Sequence, residues 1–281
     1  MTLSPTQAAA SFASILVHFD LTPQSKSRGK LAMGLATDFG AHLIGAAAEQ
    51  MLVPIYTDMT PNVSVTMMDD ERERVESDLV AAKASFFSTV GAGNNVEWRS
   101  DICDPRRFLT EQARAADLVV VGRQAGGDPR DGGLGVSPGA VAIECGRPIL
   151  VAPPKIDRLS SKRVVIAWKD TREARRAIRD SMPFLQKAEE VLVVSATREF
   201  RDRGAEDVVG YLGRHGVTAR SVVRTGEIPS IAAELLEVAR EAEAGLIVSG
   251  AYGHSRTREW IFGGATHDLL QSSNVCLLMS H

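Results

Sequence analysis

The sequence predicts an α/β chain of two tandem domains, each a doubly wound five-stranded parallel sheet. Three observations carry this. The chain repeats itself, its short apolar runs alternate with amphipathic stretches, and a Pro-Pro step followed by a polar run divides the copies. Ala116-Asp117-Leu118-Val119-Val120-Val121-Gly122 matches Ala244-Gly245-Leu246-Ile247-Val248-Ser249-Gly250. The opening Ile15-Leu16-Val17-His18-Phe19-Asp20 parallels Val164-Val165-Ile166-Ala167-Trp168-Lys169, and Pro148–Val151 parallels Val275–Leu278. Pro153-Pro154 and the polar stretch through Lys162 read as a linker, which gives domains 1–154 and 155–281.

The elements of the second copy follow in order. Val164–Trp168 is a short apolar run, hence a buried strand. Thr171 caps the next helix, which places Ala174, Ala177, Ile178 and Met182 at helical spacing. Val191–Ser195 and Val217–Val223 are strands around a helix, Val208–His215, that Gly216 stops. Ile228–Glu243 has an apolar stripe at Ile228, Ile231, Ala232, Leu235, Leu236 and Ala239. Leu246–Ser249 is a strand, Gly264–Gln271 a helix and Cys276–Met279 the last strand. Strands apolar on both faces, each followed by a helix, argue for a parallel sheet covered on both sides. The first copy repeats the pattern with a longer middle. Between strands near Leu43–Ala48 and Val96–Arg99 lies an insertion with Met51, Met59, Met67 and Met68, and a charged helix start at Asp69-Asp70-Glu71.

Composition bounds the function. The 281 residues are 44% hydrophobic and 24% charged, with a net charge of −3, as in a soluble globular protein. That charge gives no reason to expect nucleic acid or an anionic membrane as partner. No apolar run reaches the length of a membrane span, and Met1–Ser14 lacks the basic start of a secretion signal. The three scattered cysteines, Cys103, Cys145 and Cys276, fit packing roles in a reducing compartment, so the cytoplasm is the expected location. They lack the spacing of a zinc site.

Ligands of open α/β sheets sit at the carboxyl ends of the strands, commonly on a glycine-rich loop entering a helix. Gly250-Ala251-Tyr252-Gly253-His254-Ser255-Arg256-Thr257-Arg258-Glu259-Trp260-Ile261-Phe262-Gly263-Gly264-Ala265-Thr266 has this setting. Its glycines let the backbone approach a phosphate, and His254, Ser255, Arg256 and Arg258 add donors. There is no nucleophile elbow, no HExxH and no phosphate loop ending in Gly-Lys-Ser/Thr, so binding suits the loop better than catalysis.

A strand, then Gly-x-x-Gly, nine residues and Gly before a short helix resembles the universal stress protein family, over nearly the whole chain and twice. The resemblance implies a five-stranded parallel fold of the adenine nucleotide alpha hydrolase-like type. It also implies a stress-response protein without enzymatic activity, with ATP or a related adenine nucleotide as ligand. The family's ATP-binding branch carries Gly-x-x-Gly-x9-Gly-Ser/Thr and an Asp closing the first strand. Gly250, Gly253 and Gly263 match; Gly264 stands where Ser or Thr is expected, and Thr266 lies two residues on. The first-strand Asp aligns with Lys169, beside Asp170. The resemblance thus assigns nucleotide contacts to Lys169, Asp170, Gly250, Gly253, His254, Gly263, Gly264 and Thr266. It further implies that the two domains pack through their final strands as an intrachain pseudo-dimer; a chain–chain homodimer stays open.

The first copy departs further. Asp20 is kept, but Ala125 stands at the second glycine, Val136 follows Gly135, and Asp128 and Asp131 would repel phosphate. Ser137-Pro138 reads as an N-cap with proline at the first helical position. Two readings stand beside the nucleotide site. The loop 250–264 is a packing or partner-binding segment of a nucleotide-free interaction module, or it serves a slow nucleotide hydrolase. Asp20 and Asp170 have helix capping as their plainer role, and His254 a loop hydrogen bond.

Overall fold

The computed structural model describes residues 10–52, 61–123, 133–197, 204–225, 230–252 and 264–281, with the backbone alone for 61–64. The strands are β1 (Ser14–His18), β2 (His42–Ala48), β3 (Val96–Asp101), β4 (Leu118–Gly122), β5 (Ile149–Ala152), β6 (Arg163–Ala167), β7 (Glu190–Thr197), β8 (Ala219–Thr225), β9 (Leu246–Gly250) and β10 (Cys276–Ser280). They form one sheet in the order β3-β2-β1-β4-β5-β10-β9-β6-β7-β8. Each half repeats one five-strand order, and every neighbouring pair is parallel except β5–β10. That antiparallel seam sets Val151, Leu150 and Ile149 opposite Leu277, Leu278 and Met279.

The strands read as continuous apolar runs because both faces are buried. Ile15, Val17, Leu118, Val120, Leu150, Val164, Ile166, Val248 and Leu278 enter one core. Their alternating neighbours Leu16, Val119, Val121, Ile149, Val165, Ile247 and Leu277 enter the other. On the first face lie α1 (Pro23–Phe39), α5 (Arg172–Asp180), α6 (Met182–Leu185) and α7 (Ala205–Arg214). On the second lie α3 (Pro105–Gln112), α4 (Pro138–Glu144), α8 (Ile231–Glu241) and α9 (Ala265–Ser272). Thr171 caps α5, accepting from the Ala174 N–H, and Ser230 caps α8 in the same way. Ser137 and Pro138 take the N-cap and first positions of α4, although the Ser137 side chain makes no capping bond.

The insertion in the first half differs from expectation. It is one helix, α2 (Pro61–Val90), and Asp69-Asp70-Glu71 lies inside it rather than at its start. The physical reason is in the sequence. Pro61 suits a first helical position, and neither glycine nor proline interrupts the chain until Gly91, which takes φ 81°. Val75, Leu79 and Ala82 bury one face of this helix against Ala47 and Leu134, with Met51 alongside; Met68 is exposed.

Side chains fasten the halves beyond the strand seam. Phe12 and Phe39 of the first half close on Phe184 of α6, at centroid distances of 5.3 and 5.4 Å. Lys187 Nζ lies 3.7 Å from the Phe39 ring centroid and donates to the Asp38 carbonyl. On the opposite face Arg123, just past β4, donates from Nη1 to the carbonyls of Gln271 and Ser273 at 2.9 and 3.0 Å. A cation thereby meets the negative end of α9. Tyr252, just past β9, reaches back to α4: a Cβ on Gly139 would overlap its hydroxyl. Tyr252 holds the left-handed conformation, φ 53°, which is uncommon for a residue with a side chain.

Candidate functional site

The strand order reverses between β1 and β4 and again between β6 and β9. Such switch points open a crevice at the carboxyl ends of the strands, where ligands of open sheets bind. The two crevices of this chain are built from different residues.

In the first half a buried polar network lies at this switch point. Asp20 follows β1 and is 6% exposed. Its Oδ2 accepts from Arg28 Nη2 at 2.7 Å, and its Oδ1 accepts from the Thr22 N–H and from the hydroxyls of Thr22 and Ser25. Arg28, 4% exposed, also donates from Nε to the His18 carbonyl and from Nη2 to Ser25 Oγ, each at 2.7 Å. Its Nη1 occupies the space over β4, since a Cβ on Gly122 would overlap it. His18 Nε2 lies 2.8 Å from the Leu134 carbonyl, which can only accept, so Nε2 carries the proton.

The electrostatics follow from burial and pairing. Burial alone raises the Asp20 carboxyl, but Arg28, His18 and the two hydroxyls more than offset it and hold it well below the usual carboxylate range. Burial and the Arg28 cation push the His18 imidazole down to about 4, so it is neutral at pH 7. Glu49, just past β2, is fully buried beside Gly133. Its Oε1 takes a bond from Arg74 at 2.9 Å, its Oε2 has no partner among the described residues, and burial raises its carboxyl.

In the second half the same positions lack that network. Trp168 N–H donates to the Val194 carbonyl as Phe19 N–H does to Ala46, so Lys169 takes the place of Asp20. Thr171 caps α5 where Thr22 precedes α1, which sets Ala174 at Ser25 and Ala177 at Arg28. Ala167 replaces His18. Lys169 is exposed, and Asp170 beside it pairs with Arg175 at 2.5 Å rather than capping α5. Gly250 ends β9, paired with Ser280 of β10. A Cβ on it would lie 2.7 Å from the Ala174 nitrogen and 2.8 Å from the Glu173 carbonyl carbon, so its bare Cα admits the first turn of α5. The buried Glu173 there is held by Arg172 and Thr171.

Gly264 is the N-cap of α9 and Thr266 its second residue; Gly264 has no side chain to cap the first N–H groups of this helix. Gly253, His254 and Gly263 lie outside the described residues, as do Ala125, Asp128 and Asp131. Sequence reasoning missed Arg28, Glu49 and the cross-half contacts of Arg123. Arg28 carried a signal: it falls in phase with the buried stripe Ser25, Leu31, Ala32 and Leu35 of α1.

The three cysteines are free and their thiols are raised by burial, Cys276 to about 12. Among the described residues no group of His, Cys, Asp and Glu is spaced to hold a metal, and no helix is long and apolar enough to cross a membrane.

No protein-family model matches the sequence, and no curated protein matches it. The fold does match solved structures. The crystal structure of a universal stress protein from Archaeoglobus fulgidus superposes over 96% of each chain with a TM-score of 0.69 at 15% identity. The chain has the universal stress protein fold. A functionally unknown protein from Pseudomonas aeruginosa shares this universal stress protein fold over 96% of the present chain and 92% of its own, at a TM-score of 0.54 and 13% identity.

Proposed function

We propose that the chain is a tandem member of the universal stress protein family, with domains 1–154 and 155–281, that acts by binding rather than catalysis and holds one adenine nucleotide, in its second half. One observation carries the reading. The crevice that is filled by His18, Asp20, Ser25 and Arg28 in the first half has Ala167, Lys169, Ala174 and Ala177 in the second. Lys169 supplies an exposed cation at the strand end, and α9 opens on Gly264 without a side-chain cap. A cation and the N–H groups of a helix start suit phosphate. Lys169, Gly264 and Thr266 are the described residues assigned to it, followed by Gly253, His254 and Gly263 of the loop. Gly250 acts through packing, by letting α5 close on β9.

That closeness of α5 to Gly250 favours a second reading, a nucleotide-free interaction module of cytoplasmic signalling. Gly264→Asp separates the two. An aspartate is a good N-cap, so the variant keeps or gains stability while setting a carboxylate where phosphate would lie. The nucleotide reading expects ATP to raise the melting temperature of the parent protein and not of Gly264→Asp. No rise at millimolar ATP in the parent leaves the interaction module.

A further inference from the structure

We infer that the first-half crevice is a guanidinium-binding site whose resident ligand is the chain's own Arg28. It does not depend on whether the second half binds nucleotide.

The geometry is that of a ligand in a pocket rather than of a surface ion pair. The guanidinium is buried and donates to three acceptors: the His18 carbonyl from Nε, and Asp20 Oδ2 and Ser25 Oγ from Nη2. Such fork-like donation to a carboxylate and a carbonyl is what a planar cation offers and an ammonium does not. The pocket side is prepared for it. Thr22 and Ser25 fix the far oxygen of Asp20, so the near oxygen faces Nη2. Gly122 provides the missing Cβ that Nη1 requires. His18, neutral and anchored on Leu134, adds no competing charge. The ligand class this crevice selects is therefore a planar cation, opposite in sign to a phosphate. Because the occupant is covalently part of α1, the first half keeps one occupied state at every ligand concentration.

The experiment removes the resident and supplies a free one. Arg28→Ala leaves Asp20 buried without its guanidinium partner, beside the space that Arg28 vacates. Methylguanidinium chloride at tens of millimolar is expected to raise its melting temperature by about 5 °C over potassium chloride of equal ionic strength, with no such difference in the parent protein. The double variant Asp20→Asn/Arg28→Ala is expected not to respond. Equal melting of Arg28→Ala in the two salts overturns the inference. If Arg28→Ala is unfolded in buffer, the same comparison is made on recovery of folded protein, with equal recovery as the overturning result. The parent protein gives an independent reading by nitrogen-15 NMR. Arg28 Nε–H and Nη–H are expected to exchange with solvent far more slowly than those of exposed Arg72. Equal exchange contradicts a seated guanidinium.

Discussion

Arg28 Nη2 lies 2.7 Å from Asp20 Oδ2, and both side chains are more than nine-tenths buried. A buried ion pair loses much of its Coulomb gain to desolvation, so its intact value is small while either member alone is costly. Asp20→Asn or Arg28→Met is expected to lower stability by about 3–5 kcal/mol. The double variant is expected to lose clearly less than the sum. Urea unfolding of the four proteins measures the coupling; additive losses contradict a shared network.

His18 gives this half a pH dependence. Its folded pKa, about 4, lies below the ordinary 6.5, so the proton binds the unfolded chain more readily. The stability it contributes is complete above about 6.5 and is lost as pH falls toward 4, on the order of 3 kcal/mol in total. Asp20, also depressed, adds a further loss only below its ordinary value of 3.8. His18→Gln keeps an amide donor for Leu134 and cannot titrate. Its stability is expected to fall clearly less than the parent protein's from pH 6.5 to 4; parallel curves would show that His18 is not the titrating group.

Glycines separate by what faces them. A methyl on Gly250 meets the backbone of α5 at 2.7 Å, and neither partner is a flexible side-chain end. Gly250→Ala is expected to cost about 1–3 kcal/mol. Gly213 sits in α7 with nothing within 4 Å of such a methyl, so Gly213→Ala is expected to gain up to about 1 kcal/mol from helix entropy. Thermal unfolding of both variants checks the sign of each.

The β5–β10 seam predicts one cooperative molecule. Leu150 faces Leu278 across it, both fully buried, and the Phe12–Phe39–Phe184 cluster adds a second junction. Trp98 reports on the first half and Trp168 on the second. Single-tryptophan proteins carrying one or the other are expected to unfold in urea at the same midpoint. Leu278→Ala is expected to lower both midpoints together, at a cost of about 2–5 kcal/mol. Separate midpoints in the parent would mean that the halves unfold independently.

The sheet was legible in the sequence because β1, β4, β5, β9 and β10 are apolar on both faces and recur at matching places in the two copies. The start of α2 was not, since Pro61–Met68 carries no strong periodicity and the acidic run Asp69-Asp70-Glu71 imitates a helix beginning. Of the candidate site, the exchange of Asp20 for Lys169 was visible by alignment of the two copies. The filling of the first crevice was not, because it depends on Arg28 eight residues away, where a charge on a helix reads as solvated unless its phase is checked. Gly250 was expected at a phosphate by its motif; the close packing of α5 on its Cα is a further feature that the pattern did not show.

In the proposed arrangement one half binds nucleotide and the other holds its own Arg28 instead. Calorimetric titration with ATP tests it most directly. One ATP per chain is expected, with binding that is lost in Gly264→Asp and weakened in Lys169→Ala. Two equivalent sites per chain, no binding at millimolar ATP, or a single site that survives Gly264→Asp would contradict it.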